Sequence, residues 1–144
     1  RLLPTVLENL EYADIVRGSD EDFVNLFGKT DNDDIYKEHI KFYCDLFLTT
    51  MGANGVNLHT SNFKEHFDAP AIQPLSTIGA GDNFNAGIIY GLLKYDIRRD
   101  QLKTMSKDKW KKIIRCGMDL SKEVCLSYNN YISFEFADEY RKQS

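Results

Sequence analysis

Long hydrophobic runs are missing from this chain: no apolar stretch approaches the roughly 20 residues that a helix needs to cross a bilayer. A signal-peptide pattern is missing too, so the expected location is the cytoplasm and no membrane partner is expected. Cysteine is scarce, with only Cys44, Cys116 and Cys125 among 144 residues. An odd number without metal-ligand spacing argues against a disulfide framework and a thiolate metal site. The apolar neighbours point to buried thiols in a reducing compartment. The three histidines, His39, His59 and His66, lack the H-E-x-x-H spacing of a zinc site. Positive charge is in deficit, since 18 Lys and Arg face 22 Asp and Glu for a net charge of −4. The densest basic run (Lys107, Lys109, Lys111, Lys112) is broken by Asp108 and Trp110 and reads as the solvated face of a helix. Without a basic face, nucleic acid is not an expected partner.

Two common nucleotide motifs are absent as well. Gly28-Lys29-Thr30 is the nearest approach to a Walker A loop, but the earlier glycine of that motif is missing. A G-x-G-x-x-G fingerprint starting at Gly79 fails at Phe84.

What is present is an ordinary globular composition, 42% hydrophobic and 28% charged, and enough length for one domain with a core, spanning 1–144. Helices are expected over 3–11, continuing an apolar pattern that starts at Leu2, and from Ser19 to about Phe27. In the second, Ser19 serves as N-cap and Gly28 as terminator. Further helices are expected over about 33–43, 80–95, 107–127 and 134–141. Strands are expected at Ala13–Arg17 and Asp45–Thr50, followed by a hairpin with arms Val56–His59 and Asn62–Phe67. Pro70 and Pro74 bracket an extended link. Strands alternating with helices predict an α/β layered domain with a mainly parallel sheet and an antiparallel piece at one edge.

The most informative stretch is Ser76-Thr77-Ile78-Gly79-Ala80-Gly81-Asp82-Asn83-Phe84-Asn85-Ala86-Gly87. A glycine-punctuated turn empties into a helix, and such a helix start offers backbone N–H groups and positive dipole to an anion. A carboxylate on the first turn repels a phosphate, so a plain phosphate cradle does not explain Asp82. The residue makes chemical sense if it takes a proton from a hydroxyl while the amides of Gly79, Ala80 and Gly81 hold the phosphoryl group under attack.

The string resembles the C-terminal signature of the ribokinase-like (phosphofructokinase B-type) carbohydrate kinases, D-T-x-G-A-G-D-x-F-x-A-G. Thr77, Gly79, Ala80, Gly81, Asp82, Phe84, Ala86 and Gly87 match it, and Ser76 stands where an acid is usual. The resemblance implies a layered α/β/α ribokinase-like fold and ATP-dependent phosphorylation of a sugar, with magnesium at the phosphates. Asp82 would be the general base and Gly79-Ala80-Gly81 the anion hole. Ser76 leaves the monovalent cation of that family without its usual acid. Family members are longer, and this chain opens at Arg1 without a Met. The expectation is therefore the C-terminal, nucleotide-binding and catalytic half, with its first strand left as an open edge and homo-oligomerisation as one consequence.

The same resemblance gives meaning to three other segments. Thr50, Gly52, Ala53 and Gly55 match a T-x-G-x-x-G turn that lines the nucleotide; taken alone, they describe an ordinary β-turn. Arg17-Gly18-Ser19-Asp20-Glu21-Asp22 occupies the place of an N-x-x-E element. There Asp22 would help organise magnesium through water, although a capped helix start explains the pattern equally well. Arg17 could face a substrate phosphate or solvent. The wording of this segment leans toward the fructokinase-like branch. Small residues along the helix containing Cys116, Gly117, Met118 and Ser121 fit an adenine slot, with plain helix packing as the alternative. Two further readings stay open: a nucleotide-binding module without catalysis, and a non-catalytic partner-binding α/β domain.

Overall fold

Residues 3–143 are described in the computed structural model of this chain; Arg1 and Leu2, where the expected helical pattern begins, lie outside the described residues. The chain divides into two units: one runs through Ala69 and includes Arg98–Lys107, and the other comprises Pro70–Ile97 with the segment from Asp108 onward.

The first unit is built on a four-stranded sheet of order β1-β2-β3-β4. After helix α1 (Leu3–Leu10), β1 (Val16–Ser19) runs parallel to β2 (Phe47–Thr50). Helix α2 (Asp20–Phe27), helix α3 (Asn32–Ile35) and a π-helical turn (Tyr36–Ile40) lie between these two strands in the chain. β3 (Val56–His59) and β4 (Lys64–Phe67) then add antiparallel strands. The sheet is therefore mixed, not mainly parallel as the alternation of elements suggests. The cause is connection length: the Met51–Gly55 turn joins β2 to β3, and a parallel pair needs a crossover of about a dozen residues or more. The unit's core is Phe47, Leu48 and Leu58, each 0% exposed, with Ile35 and Ile40 from the helical crossover.

β1 starts later than the expected Ala13–Arg17, because the chain is still turning off α1: Tyr12 N–H donates to Asn9 O and Ala13 N–H to Leu10 O. It also runs on through Gly18 and Ser19, which pair with Thr49 and Thr50. A Cβ at Gly18 would sit 2.6 Å from the Phe23 ring, so the glycine makes room for the helix that follows. β1 is an edge strand of this sheet. The 3₁₀ turn Arg99–Thr104, also part of this unit, has no counterpart in the sequence reading.

The second unit is helical. α4 (Ala80–Lys94) and α5 (Lys107–Cys125) meet at a glycine crossing: a Cβ on Gly87 would lie 2.3 Å from Cys116 O and 2.5 Å from Gly117 Cα. Gly117 in turn admits the ring of Phe84, which would be 2.9 Å from a Cβ there. Backbones this close leave no space for ordinary side chains, and the two helices lock in one register. α6 (Phe134–Lys142), capped by Ser133, is tied to α5 by a 2.6 Å hydrogen bond from the Tyr140 hydroxyl to Asp119 Oδ2. Burial and that carboxylate push the Tyr140 phenol pKa upward, so it stays a donor. Ile89 and Leu93 are left 59% and 76% exposed on the outer side of α4. All three cysteines are free and buried, and burial raises the thiol pKa of Cys44 and Cys125. Among the described residues, no helix is long and apolar enough to cross a membrane.

Candidate active site

The signature turn leads directly into α4, as its glycine pattern predicts. Gly79 is the N-cap of α4 with φ +82°, a left-handed conformation that favours glycine. Ala80, Gly81 and Asp82 form the first turn of the helix, and Asp82 is exposed. Its carboxylate therefore stands at the positive end of a 15-residue helix. Ala80 N–H donates to Thr77 O at 3.2 Å. Ser76 does not offer a carboxylate; its hydroxyl accepts the Ile78 N–H at 3.2 Å and shapes the turn.

Two other parts of the second unit hold this turn. The carbonyl of Cys125, in the last turn of α5, accepts the Leu75 N–H at 2.8 Å. Beyond α5, the loop around Asn130 lies against Gly79: a Cβ on that glycine would meet Asn130 Cβ and O at 2.9 Å each. The side-chain amide of Asn83 donates to Gly79 O at 2.8 Å and to Asn130 O at 3.0 Å. Asn83 and Asn130 are absent from the sequence-based site. Nothing in the sequence joins residues 47 positions apart, and in the signature string Asn83 occupies a position where any residue is allowed. Met118 and Ser121 lie half-buried on α5, beyond the Gly87–Gly117 crossing.

The remaining predicted residues belong to the first unit. Thr50 ends β2, and its hydroxyl donates to Gly18 O at 3.4 Å. Gly52 (φ +55°), Ala53 and Asn54 form a 3₁₀ turn, and Gly55 (φ +90°) opens β3. The turn is closed by Met51 N–H to Gly55 O (2.9 Å) and Gly55 N–H to Gly52 O (3.1 Å). At Gly55 a Cβ would come within 2.2 Å of Phe67 O. Asp22 forms a capping box with Ser19: Ser19 N–H donates to Asp22 Oδ2 at 2.9 Å and Asp22 N–H to Ser19 Oγ at 3.1 Å. The box uses Asp22 Oδ2 and leaves Oδ1 outside it. Magnesium keeps several waters and takes few carboxylates. Among the described residues there is no group of three or more His, Cys, Asp or Glu side chains placed to hold a metal ion.

Comparison with known proteins gives one consistent picture. The profile for the pfkB family carbohydrate kinases matches residues 2–136. Escherichia coli fructokinase is 33% identical over 93 residues, which is 64% of this chain and 30% of that protein. Klebsiella pneumoniae fructokinase is 32% identical over 100 residues, 69% of this chain and 32% of that protein. Among solved structures, Salmonella enterica aminoimidazole riboside kinase, complexed with aminoimidazole riboside and an ATP analog, superposes with a TM-score of 0.80 at 18% identity. That match covers 99% of this chain and 46% of the other. Vibrio cholerae fructokinase, with fructose, ADP and calcium ion bound, gives 0.76 at 23% identity, over 90% of this chain and 40% of that one. These structural likenesses establish a shared α/β fold. The chain spans less than half the length of the solved relatives and roughly a third of the curated ones.

Proposed function

Because the chain belongs to the pfkB family of carbohydrate kinases, we propose that it carries the nucleotide-binding and phosphoryl-transfer portion of an ATP-dependent sugar kinase. The carrying observation is the exposed Asp82 on the first turn of α4, directly after a left-handed glycine N-cap. A base at that place can take the proton of a sugar hydroxyl as it attacks the γ-phosphoryl group. The amides at Gly79, Ala80 and Gly81 and the helix dipole stabilise the charge spread over the transferring group. Phosphoryl transfer demands positioning and charge stabilisation more than covalent chemistry, and a rigid helix start supplies both. Met118 and Ser121 on α5 are assigned to the adenine side. Thr50, Gly52, Ala53 and Gly55 are assigned to the nucleotide's phosphates and ribose. Magnesium, when bound, would neutralise the phosphates, with Asp22 holding one of its waters. Fructose is the first sugar to test, since fructokinases are among the curated relatives that this chain resembles.

Calorimetric titration with Mg-ATP, of the wild type and of Asp82→Asn, tests the reading. Binding is expected in both, because Asp82 acts on the acceptor and not on the nucleotide. With fructose present, Asp82→Asn should lower phosphorylation by at least ~10²-fold, the usual contribution of a positioned base. Absence of ATP binding, or an unchanged rate in the variant, overturns the proposal. A second reading follows from the chain's length relative to its kin: ATP binding with no phosphorylation of any sugar marks a nucleotide-binding module without turnover.

A further inference from the structure

We propose that Asn83 is a positioning residue that fixes the phosphate-facing turn of α4 to the loop between α5 and α6, through the two hydrogens of its side-chain amide. The consequence for nucleotide binding rests on the kinase reading above; the clamp itself does not.

Three observations converge on it. First, the amide reaches two carbonyl oxygens, Gly79 O at 2.8 Å and Asn130 O at 3.0 Å. Two acceptors at one end of the amide decide which end carries nitrogen, so the orientation follows from the chemistry of the partners. Second, contact between the same two segments is already so close that a Cβ on Gly79 would meet Asn130 Cβ and O at 2.9 Å and Cα at 3.3 Å. The loop rests on the turn itself. Third, Asn83 N–H also donates to Gly79 O, at 3.0 Å. The Gly79 carbonyl therefore takes one hydrogen from the backbone and one from the side chain of the same residue, which pins the peptide plane between Gly79 and Ala80. That plane carries the Ala80 N–H, one of the three amides assigned to the anion hole. Asn83 follows Asp82 directly, yet its amide is directed back at the turn and the loop.

The α5–α6 loop is largely exposed from Leu126 to Ser133, so loss of the clamp leaves the packing of Asn130 on Gly79 to hold it on the turn. The peptide at Gly79–Ala80 would then sample other orientations, and a phosphate would have to order it on binding. A nucleotide fragment carrying only one phosphate depends less on that order than ATP does.

The test uses the full chain, with Asn83→Ala and Asn83→Asp. Alanine removes the donors. Aspartate keeps the shape but sets a carboxylate oxygen against two carbonyl oxygens, so it should loosen the contact more than alanine does. Amide hydrogen exchange without ligand should rise at least about threefold in both 76–82 and 128–133, in the order wild type, Ala, Asp. Calorimetry of Asn83→Ala should show Mg-ATP affinity reduced about tenfold, the scale of one or two net hydrogen bonds, with AMP affinity changed less than about twofold. General destabilisation would lower both affinities by the same factor. The proposal is overturned if either segment keeps wild-type exchange, if alanine loosens more than aspartate, or if ATP and AMP weaken equally. Should the wild type bind no nucleotide, the kinase reading falls and the exchange measurement alone decides the clamp.

Discussion

The turns at Met51–Gly55 and Ser76–Asp82 both contain left-handed glycines, yet they are held in different ways. The first closes on itself: its hydrogen bonds run from Met51 to Gly55 and from Gly55 to Gly52, and its tightest neighbour is the backbone of the adjacent strand at Phe67. The second has internal bonds as well, Ile78 N–H to Ser76 Oγ and Ala80 N–H to Thr77 O, but it is also held from outside, by Cys125 O at its approach and by the Asn130 loop and the Asn83 amide at its tip. A self-closed turn keeps its shape as long as its hairpin does. An externally held turn has a shape that depends on where another segment sits, which suits a site that must order itself around a ligand. Glycine is required at Gly55 and Gly79 for two reasons at once, positive φ and lack of room. At Gly52 only the first reason applies, since nothing lies within 4 Å of a Cβ there.

Substitution at Gly55 should break the first turn most severely. Alanine there combines a backbone conformation that L-residues rarely adopt with a carbonyl at 2.2 Å, for a cost of about 3 kcal/mol. The expected readout is a large fall in melting temperature with the β2–β4 hairpins lost together. His66→Ala should not rescue it, because the obstructing atom is main chain and the His66 ring is farther, at 3.1 Å. Gly79→Ala should cost about 2 kcal/mol, from the left-handed conformation and the Asn130 contact. There the loop can move aside, so the expected sign is faster exchange in 128–133 with the rest of the helical unit protected. Asn130→Gly should recover part of this loss by removing the side-chain contact. Equal rescue at both sites, or none at either, would erase the distinction between a self-closed and an externally held turn.

That distinction also marks what the sequence could reveal. Ser19 with Asp22, Gly28 after α2, and the two arms around Thr60 are local signals; the capping box and the left-handed C-cap stand where those signals place them, and the hairpin's second arm starts at Lys64, after Asn62 and Phe63 have bonded to Thr60 Oγ1. The self-closed turn is local too. The π-helical turn at Tyr36–Ile40 is not legible in the local sequence; Tyr36, at its start, is buried and its hydroxyl donates to Asp45 O at 2.7 Å. Alternation of elements suggests a mainly parallel sheet, whereas the short Met51–Gly55 link makes β2 and β3 antiparallel. In the site, the signature string pointed to Asp82 and its glycines. Asn130 is known only once α5 has brought its following loop back to the start of α4.

Gly52→Ala is the milder counterpart within the first turn. With open space around it, only the conformational term of about 1 kcal/mol remains, so thermal melting should shift by a few degrees and the hairpin should stay intact. A loss as large as that of Gly55→Ala would mean that this turn too depends on a neighbour.

The smallest effect expected separates the two turns by pH. The hairpin that carries the first turn is anchored by a carboxylate: Asp33, in α3, accepts from Lys64 Nζ at 2.9 Å and lies 2.6 Å from His59 Nε2. Lys64 first, then His59, hold the Asp33 carboxyl below its ordinary range. A carboxylate whose folded pKa is depressed stabilises the fold above its unfolded pKa of about 3.9, and that contribution fades as pH falls through the lower folded value. The pair is partly solvated, with side chains 49% and 41% exposed, so the contribution is modest. His66 and Asp68, 3.3 Å apart, are more exposed still and add little. The clamp at the second turn is made of amides and carbonyls, which do not titrate in this range. Between pH 5 and 3, after correction for intrinsic rates, exchange should therefore rise in 56–67 while that in 128–133 stays level, and Asp33→Asn should flatten the rise. An equal rise in both segments would mean that acid acts on the whole chain and not through the Asp33 anchor.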